Sequence, residues 1–438
     1  MSARRFPRDF LLGCASAAHQ VEGGNDNDWA RWERDHPERI ADGSSSQDAC
    51  DHYRRYRDDL TSLAALHQNA HRFSVEWSRV EKEPGCFDRG ALNHYADVVR
   101  TCRELGMEPV VTLHHFTFPV WLAARGGAAH ADAPRLFARY AAACATAFGS
   151  DITWWITINE PAVLACQAHL TGEWPPGERS LRSTLATLRG LLRMHAAAYH
   201  ALHAVALRNG SPARVSIAHH ERRLTTRRGR HLDRLAARLP DVLFNRWFLR
   251  CCASGRLLPP LGDAPPLPGL RDSLDYIGLN YYCEDTVRFD RTSPQTLFTG
   301  RVSEPGRVLS DFGWPIDAPG LRSAIDALWG EFRLPILITE NGVADSRDAL
   351  RPAYIADHLN AVLDAIDDGA DVRGYLHWTA WDNFEWAEGY TKRFGLYAVD
   401  RTTQERTPRP SAALYAGICA TGEVPGVRSS ARELGRPG

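Results

Sequence analysis

A rhythm constrains this chain more than any single motif: eight short apolar runs separated by longer amphipathic stretches. The runs occupy 10–15, 69–76, 109–115, 154–160, 214–220, 275–282, 335–341 and 372–379. Each has the length of a strand, and several are near-continuously apolar, as strands covered on both faces are. Between them, apolar residues recur at three- and four-residue spacing in segments such as 51–66, 90–105, 133–148, 183–208, 318–332 and 352–368, which marks helices. Eight strands alternating with helices predict an α/β architecture, a closed parallel (β/α)8 TIM barrel, as a single domain over 1–420. An open doubly wound sheet shares the alternation, but it calls for a glycine-rich phosphate loop after the first strand. Gly13-Cys14-Ala15-Ser16 is not one. The stretch 421–438 is rich in Gly, Pro, Ser and Arg without periodicity, and a loose C-terminal tail is expected there.

Composition narrows the partners. With 438 residues, 44% of them hydrophobic, the chain can bury a large core, and its formal net charge of -1 offers no electrostatic ground for nucleic-acid binding. The arginine-rich segment 222–234 lacks interleaved aromatics, so a solvated loop entering a helix is expected. No run approaches about 20 apolar residues, and no membrane partner is expected. The N-terminus passes straight into strand-like sequence without the apolar stretch of a secretion signal, which points to the cytoplasm. Ten cysteines are scattered with no CxxC pair, the pattern of reduced, buried thiols. His114-His115 and His219-His220 have no carboxylate or thiol at ligand spacing on their own element, so neither a metal nor a cofactor is expected.

In a parallel barrel the C-terminal strand ends converge on one face, however far apart they lie in sequence. Gln20 follows the first run, Arg72 lies in the second, and His115 ends the third. Asn159 and Glu160 end the fourth, Asn280 and Tyr282 the sixth, Glu340 the seventh and Trp378 the eighth. Seven of eight runs therefore finish in polar or aromatic groups, which packing alone does not require. Two of them are glutamates, a pairing that suits acid chemistry on a glycosidic bond. After the eighth run, 378–390 mixes Trp378, Trp381, Phe384 and Trp386 with Asp382, Glu385 and Glu388. Flat aromatic faces beside carboxylates and amides match the two surfaces of a sugar ring.

These motifs resemble those of the glycoside hydrolase family 1 retaining β-glycosidases, over about Phe10 to Tyr415. The resemblance rests on Ser16-Ala17-Ala18-His19-Gln20-Val21-Glu22-Gly23, on Arg72-Phe73-Ser74 with Glu76-Trp77-Ser78-Arg79, and on Thr157-Ile158-Asn159-Glu160-Pro161. Ile338-Thr339-Glu340-Asn341-Gly342 and the stretch from Asp382 to Tyr390 complete it, all in the family's order.

The resemblance implies that Glu340 is the nucleophile and Glu160 the acid/base. It implies that Gln20, His115, Asn159, Glu385 and Trp386 bind hydroxyls of the terminal sugar, with Trp378 as stacking floor and Phe394 near the exocyclic carbon. Arg72, Asn280 and Tyr282 would attend the nucleophile. In that scheme Glu340 is ionised, favoured by Arg72 and Tyr282, while Glu160 starts protonated because the Glu340 anion opposes its ionisation. Retention requires carboxyl groups roughly 5–5.5 Å apart. The expected activity is that of a retaining exo-β-glycosidase, foremost a β-glucosidase, on terminal β-D-glucosyl residues, with fucosyl or galactosyl residues as alternatives. Transglycosylation at the same site, or a non-catalytic sugar-binding protein on the same fold, are the competing readings.

Some positions depart from the family pattern. Phe116 stands where many members have Trp, His19 replaces an aromatic before Gln20, and Thr379-Ala380-Trp381 replaces a commoner Ser-Leu-Leu. Glu385 is expected to exclude the 6-phosphoglycosidase branch, since a carboxylate there repels phosphate. The presence of Glu160 argues against the plant thioglucosidases.

Overall fold

The computed structural model describes residues 4–227, 230–259, 261–262, 265–293 and 296–426. All eight runs form strands: β1 Leu11–Ala15, β2 Ala70–Ser74, β3 Glu108–His114, β4 Trp154–Asn159, β5 Arg214–His220, β6 Ile277–Asn280, β7 Ile336–Asn341 and β8 Val372–Trp378. They close a barrel in chain order, every pair parallel, with β8 returning to β1 through Gly374↔Leu11 to Trp378↔Ala15. The main helices lie between them: α1 His52–Ala65, α2 Arg89–Glu104, α3 Ala133–Phe148, α4 Leu181–Asn209, α5 Trp247–Ser254, α6 Ala318–Phe332, α7 Arg351–Asp367 and α8 Pro410–Thr421. This is the (β/α)8 barrel that the alternation predicts.

The local reasons are legible in α2. Asp88 caps its first turn by accepting from the Ala91 amide at 3.1 Å, and Gly106 in the left-handed region follows its end. Ala91, Tyr95, Val98, Val99 and Cys102 fall on one buried face of this helix. Fully burying each valine contributes about 1.5–3 kcal/mol, so Val99→Asp would undo the packing of this helix. Close approach matters at Gly13, where a Cβ would sit 1.8 Å from the Ala70 carbonyl oxygen of β2.

Inside the barrel, Ala70, Val110, Trp154, Ile156, Ala218, Tyr276, Leu337 and Leu376 form one buried cluster beneath Trp378. A larger cluster fills the layer between strands and helices. Each of the ten cysteines is a free thiol. Among the described residues, no helix is long and apolar enough to cross a membrane.

Two expectations need correction. Residues 421–426 are not loose: Glu423–Val424 pairs antiparallel with Arg4–Arg5, and Val424 is buried, because backbone pairing needs no side-chain periodicity. The remainder of the expected tail lies outside the described residues. The segment after β5 is more than a solvated loop. Arg223–Thr225 pairs with Glu284–Thr286, and Arg222 donates to Asp285 at 2.8 Å before a helix begins at His231.

Candidate active site

The strand ends meet as predicted, and the hydrogen bonds show how each is held. Arg72, fully buried on β2, donates from Nη1 to Glu340 Oε1 at 2.5 Å and from Nη2 to Asn159 Oδ1 at 2.7 Å. Its Nε donates to Thr112 Oγ1 at 3.0 Å, which locks the guanidinium plane. Tyr282, two residues past β6, donates to the other oxygen of Glu340 at 2.5 Å. Glu340 therefore has a charged donor on one oxygen and a phenol on the other, the strong kind of carboxylate bond.

Glu160 stands on a turn between β4 and the short helix Pro161–Cys166, with φ 43 and ψ 61, a left-handed conformation that a non-glycine residue holds only at a cost. Its amide donates to Ala218 O at 2.7 Å, which ties the turn to β5. Asn280 Nδ2 reaches Glu160 Oε1 at 2.8 Å and Asn159 Oδ1 at 3.2 Å, while Asn280 Oδ1 accepts from Thr339 Oγ1 at 2.6 Å. Arg72, Asn159 and Asn280 thus link the two glutamates in one buried network.

A further side chain joins this network that the sequence reading set aside. His220, the last residue of β5, places Nδ1 2.9 Å from Glu160 Oε1. Register puts it level with Asn280 of β6, which in turn is level with Glu340 of β7. It is the polar terminus missing from the fifth run, and the same strand-end logic identifies it once the His-His pair is not judged only as a metal motif. Its neighbour His219 points elsewhere, to Glu221, which Arg246 clamps through two bonds of 2.8 and 2.7 Å.

The remaining predicted residues join this network or one another through hydrogen bonds and ring contacts. Gln20, buried in the short helix Ala18–Val21, donates to Phe384 O at 2.8 Å and to Glu385 Oε2 at 3.3 Å. His115 lies 3.2 Å from Asn159 Nδ2, and its ring is nearly parallel to Trp378 and Trp386, at 6.1 and 6.0 Å. Phe394 packs against Tyr282 at 6.1 Å. Among the described residues, Gln20 Oε1 and His115 Nδ1 are buried without a hydrogen-bond partner. Of the departures from the family pattern, Phe116 lies against Trp174 and Trp386, and His19 stacks on Trp386 while bonding Glu33 at 2.8 Å.

Protonation differs from the expected scheme. Burial, opposed by Arg72 and reinforced by the Glu160 charge, pushes Glu340 up to about 7. Glu160 moves the other way: burial raises it, but His220, Asn280 and Arg72 together outweigh burial and hold it below the usual carboxylate range. The expected order, Glu160 high and Glu340 low, is reversed in direction because His220 had not been counted. Burial, followed by the Glu340 charge, lifts Glu385 to about 8. Glu160 and Glu340 share their ionisation as a pair, and the pocket takes up protons around neutrality. Burial and the Arg72 cation hold His115 in its neutral form.

Comparison with known proteins agrees with this geometry. The sequence pattern described as "Glycosyl hydrolase family 1" matches residues 2–424. The chain is 32% identical to β-glucosidase A of Thermotoga maritima over 95% of its length and 98% of that protein's. It is also 32% identical to a β-glucosidase of an Agrobacterium species, over 95% of this chain and 96% of that one. The solved family 1 β-glucosidase of Thermotoga maritima superposes with a TM-score of 0.90 at 28% identity, over 97% of this chain and all of that one. A match of this extent leaves one assignment: the chain belongs to glycosyl hydrolase family 1.

Proposed function

We propose that the protein is a retaining exo-β-glycosidase, foremost a β-glucosidase, with Glu340 as nucleophile and Glu160 as acid/base. The observation that carries this reading is the division of donors: Arg72 and Tyr282 on Glu340, His220 and Asn280 on Glu160. A cation and a phenol on both Glu340 oxygens suit a carboxylate that faces developing positive charge at the anomeric carbon. In the first step Glu340 attacks that carbon, and the proton held by the pair leaves on the glycosidic oxygen by way of Glu160. Glu340, now an ester, no longer repels the Glu160 anion, which then takes a proton from water as the water oxygen bonds the anomeric carbon and Glu340 departs.

Gln20, His115, Asn159, Glu385 and Trp386 bind hydroxyls of the terminal sugar over Trp378, with Phe394 beside the exocyclic carbon. Asn159, tied to Arg72, donates to the 2-hydroxyl in this reading, a contact that strengthens in the transition state. The half-buried Glu385 offers a phosphate no cation and favours an unphosphorylated sugar. The named activities of the relatives support glucose as that sugar. Free, mostly buried thiols fit a reducing compartment, and we place the enzyme in the cytoplasm.

The test is p-nitrophenol release from a panel of β-glycosides, with 2-deoxy-2-fluoroglucoside trapping and peptide mapping. Turnover of the glucoside with label on the Glu340 peptide is expected. Tight sugar binding without turnover or label on any panel member would restore the binding-protein reading.

A further inference from the structure

Glu160 Oε1 has two nitrogen partners, His220 Nδ1 at 2.9 Å and Asn280 Nδ2 at 2.8 Å, whereas Oε2 accepts no hydrogen bond from the described residues. With both nitrogens donating to it, Oε1 has no room for a proton, which is left to Oε2. We propose that His220 is a positioning residue which, with Asn280, anchors Oε1 of Glu160 and so assigns the proton transfer to Oε2. The inference rests on the acid/base role proposed for Glu160.

The ring is fixed for this task. It lies 6.0 Å from Tyr282 at an interplanar angle of 23° and meets Phe244 edge-on at 5.9 Å, so it is walled on two sides while its side chain stays about one-fifth exposed. The titratable and charged groups around it are Glu160 from β4, Tyr282 beyond β6, Glu340 from β7 and Arg72 from β2. His219 lies on its own strand and Glu221 directly after it, the latter paired with Arg246. Glu160 is the one carboxylate in contact with the ring among the described residues.

Through Nδ1–H, His220 stabilises the carboxylate form of Glu160. In the first step the Oε2 proton passes to the glycosidic oxygen as the carbon–oxygen bond breaks and Glu340 bonds the anomeric carbon. The two N–H groups then hold the Glu160 anion at Oε1 and leave Oε2 facing the incoming water, whose proton it accepts. Without His220, Glu160 would be a weaker acid with a freer carboxyl, and slow leaving groups would suffer most.

The test compares His220→Phe and His220→Gln with the parent on two β-glucosides, one with a poor alkyl leaving group and one with 2,4-dinitrophenol. For His220→Phe, the alkaline limb of kcat/KM should move up by about one pH unit, from loss of one hydrogen bond to a charged group. Its kcat on the alkyl glucoside should fall about tenfold with KM changed less than about twofold, while kcat/KM for the dinitrophenyl substrate, whose departure needs no acid, stays within about twofold. His220→Gln keeps an N–H donor and should recover most of the limb. His220→Leu supplies the same arm if the phenyl ring does not fit. An alkaline limb that coincides with the parent's, or equal losses on both substrates through KM, would overturn the inference. A parent that hydrolyses no glycoside would sink the proposed function itself, so the two failures are distinct.

Discussion

Removing the charge that Arg72 presents to Glu340 gives the sharpest quantitative test of the site. Arg72→Met keeps much of the side-chain volume but deletes the Glu340 bond of 2.5 Å and the Asn159 bond of 2.7 Å. A hydrogen bond to a charged group is worth about 1.5–3 kcal/mol, equivalent to roughly one to two pH units on the carboxyl that loses it. Glu340 already sits near 7, so its ionisation should move toward 8–9. As the proposed nucleophile, Glu340 acts ionised; its affinity for the proton rises in the variant, and the acid limb of activity shifts to higher pH. At pH 7 the reactive fraction should fall from about one half to between roughly one in ten and one in a hundred. The assay is the pH dependence of inactivation by a 2-deoxy-2-fluoroglucoside with a good leaving group, which needs the nucleophile and little help from Glu160. Denaturant melts would run alongside, because Asn159 and the Thr339 carbonyl also lose a partner, at about 1–3 kcal/mol each. A folded variant whose acid limb stays in place would refute the idea that Arg72 sets the ionisation of Glu340.

Other outcomes follow from the same contacts. Glu160→Gln should lose alkyl glucosides by several orders of magnitude yet turn over activated aryl glucosides, with added azide raising the rate and yielding a β-glycosyl azide; kinetics and product analysis read both. Asn159→Ala should lower kcat more than it raises KM, since the proposed 2-hydroxyl contact strengthens in the transition state; steady-state constants decide it. Glu385, raised to about 8 against an ordinary 4.5, binds its proton more tightly when folded, so stability is lost as pH climbs through that window. Glu385→Gln cannot ionise and should therefore melt higher than the parent at pH 8.5, by about 1–3 kcal/mol, with little difference at pH 4.5; calorimetry at the two pH values is the check.

The barrel was readable because parallel strands buried on both faces leave dense apolar runs, and because helices such as α2 display their buried face every three or four residues. The convergence of the candidate residues was readable because the strand ends of a parallel barrel meet on one face. Where reading failed, the cause was a partner distant in sequence. His220 reaches Glu160 only because β5 sits between β4 and β6, which no local pattern reveals. The protonation order of Glu160 and Glu340 depended on that one ring. The strand Glu284–Phe289 escaped notice because it pairs with Arg223–Thr225 outside the barrel, and Glu423–Val424 because a two-residue pairing leaves no periodicity.

The positive φ of Glu160 recurs at Phe116, φ 72, and Trp386, φ 53, two rings that meet edge to face. Glycine would relax each position, by about 1 kcal/mol in backbone strain, while deleting the side chain that the pocket needs. Selection for heat tolerance and selection for turnover therefore pull these codons in opposite directions. A laboratory lineage screened on survival of heating alone should erode the pocket first at these turns, well before the barrel strands. Breeding a sturdier enzyme from this chain will require scoring turnover in every round.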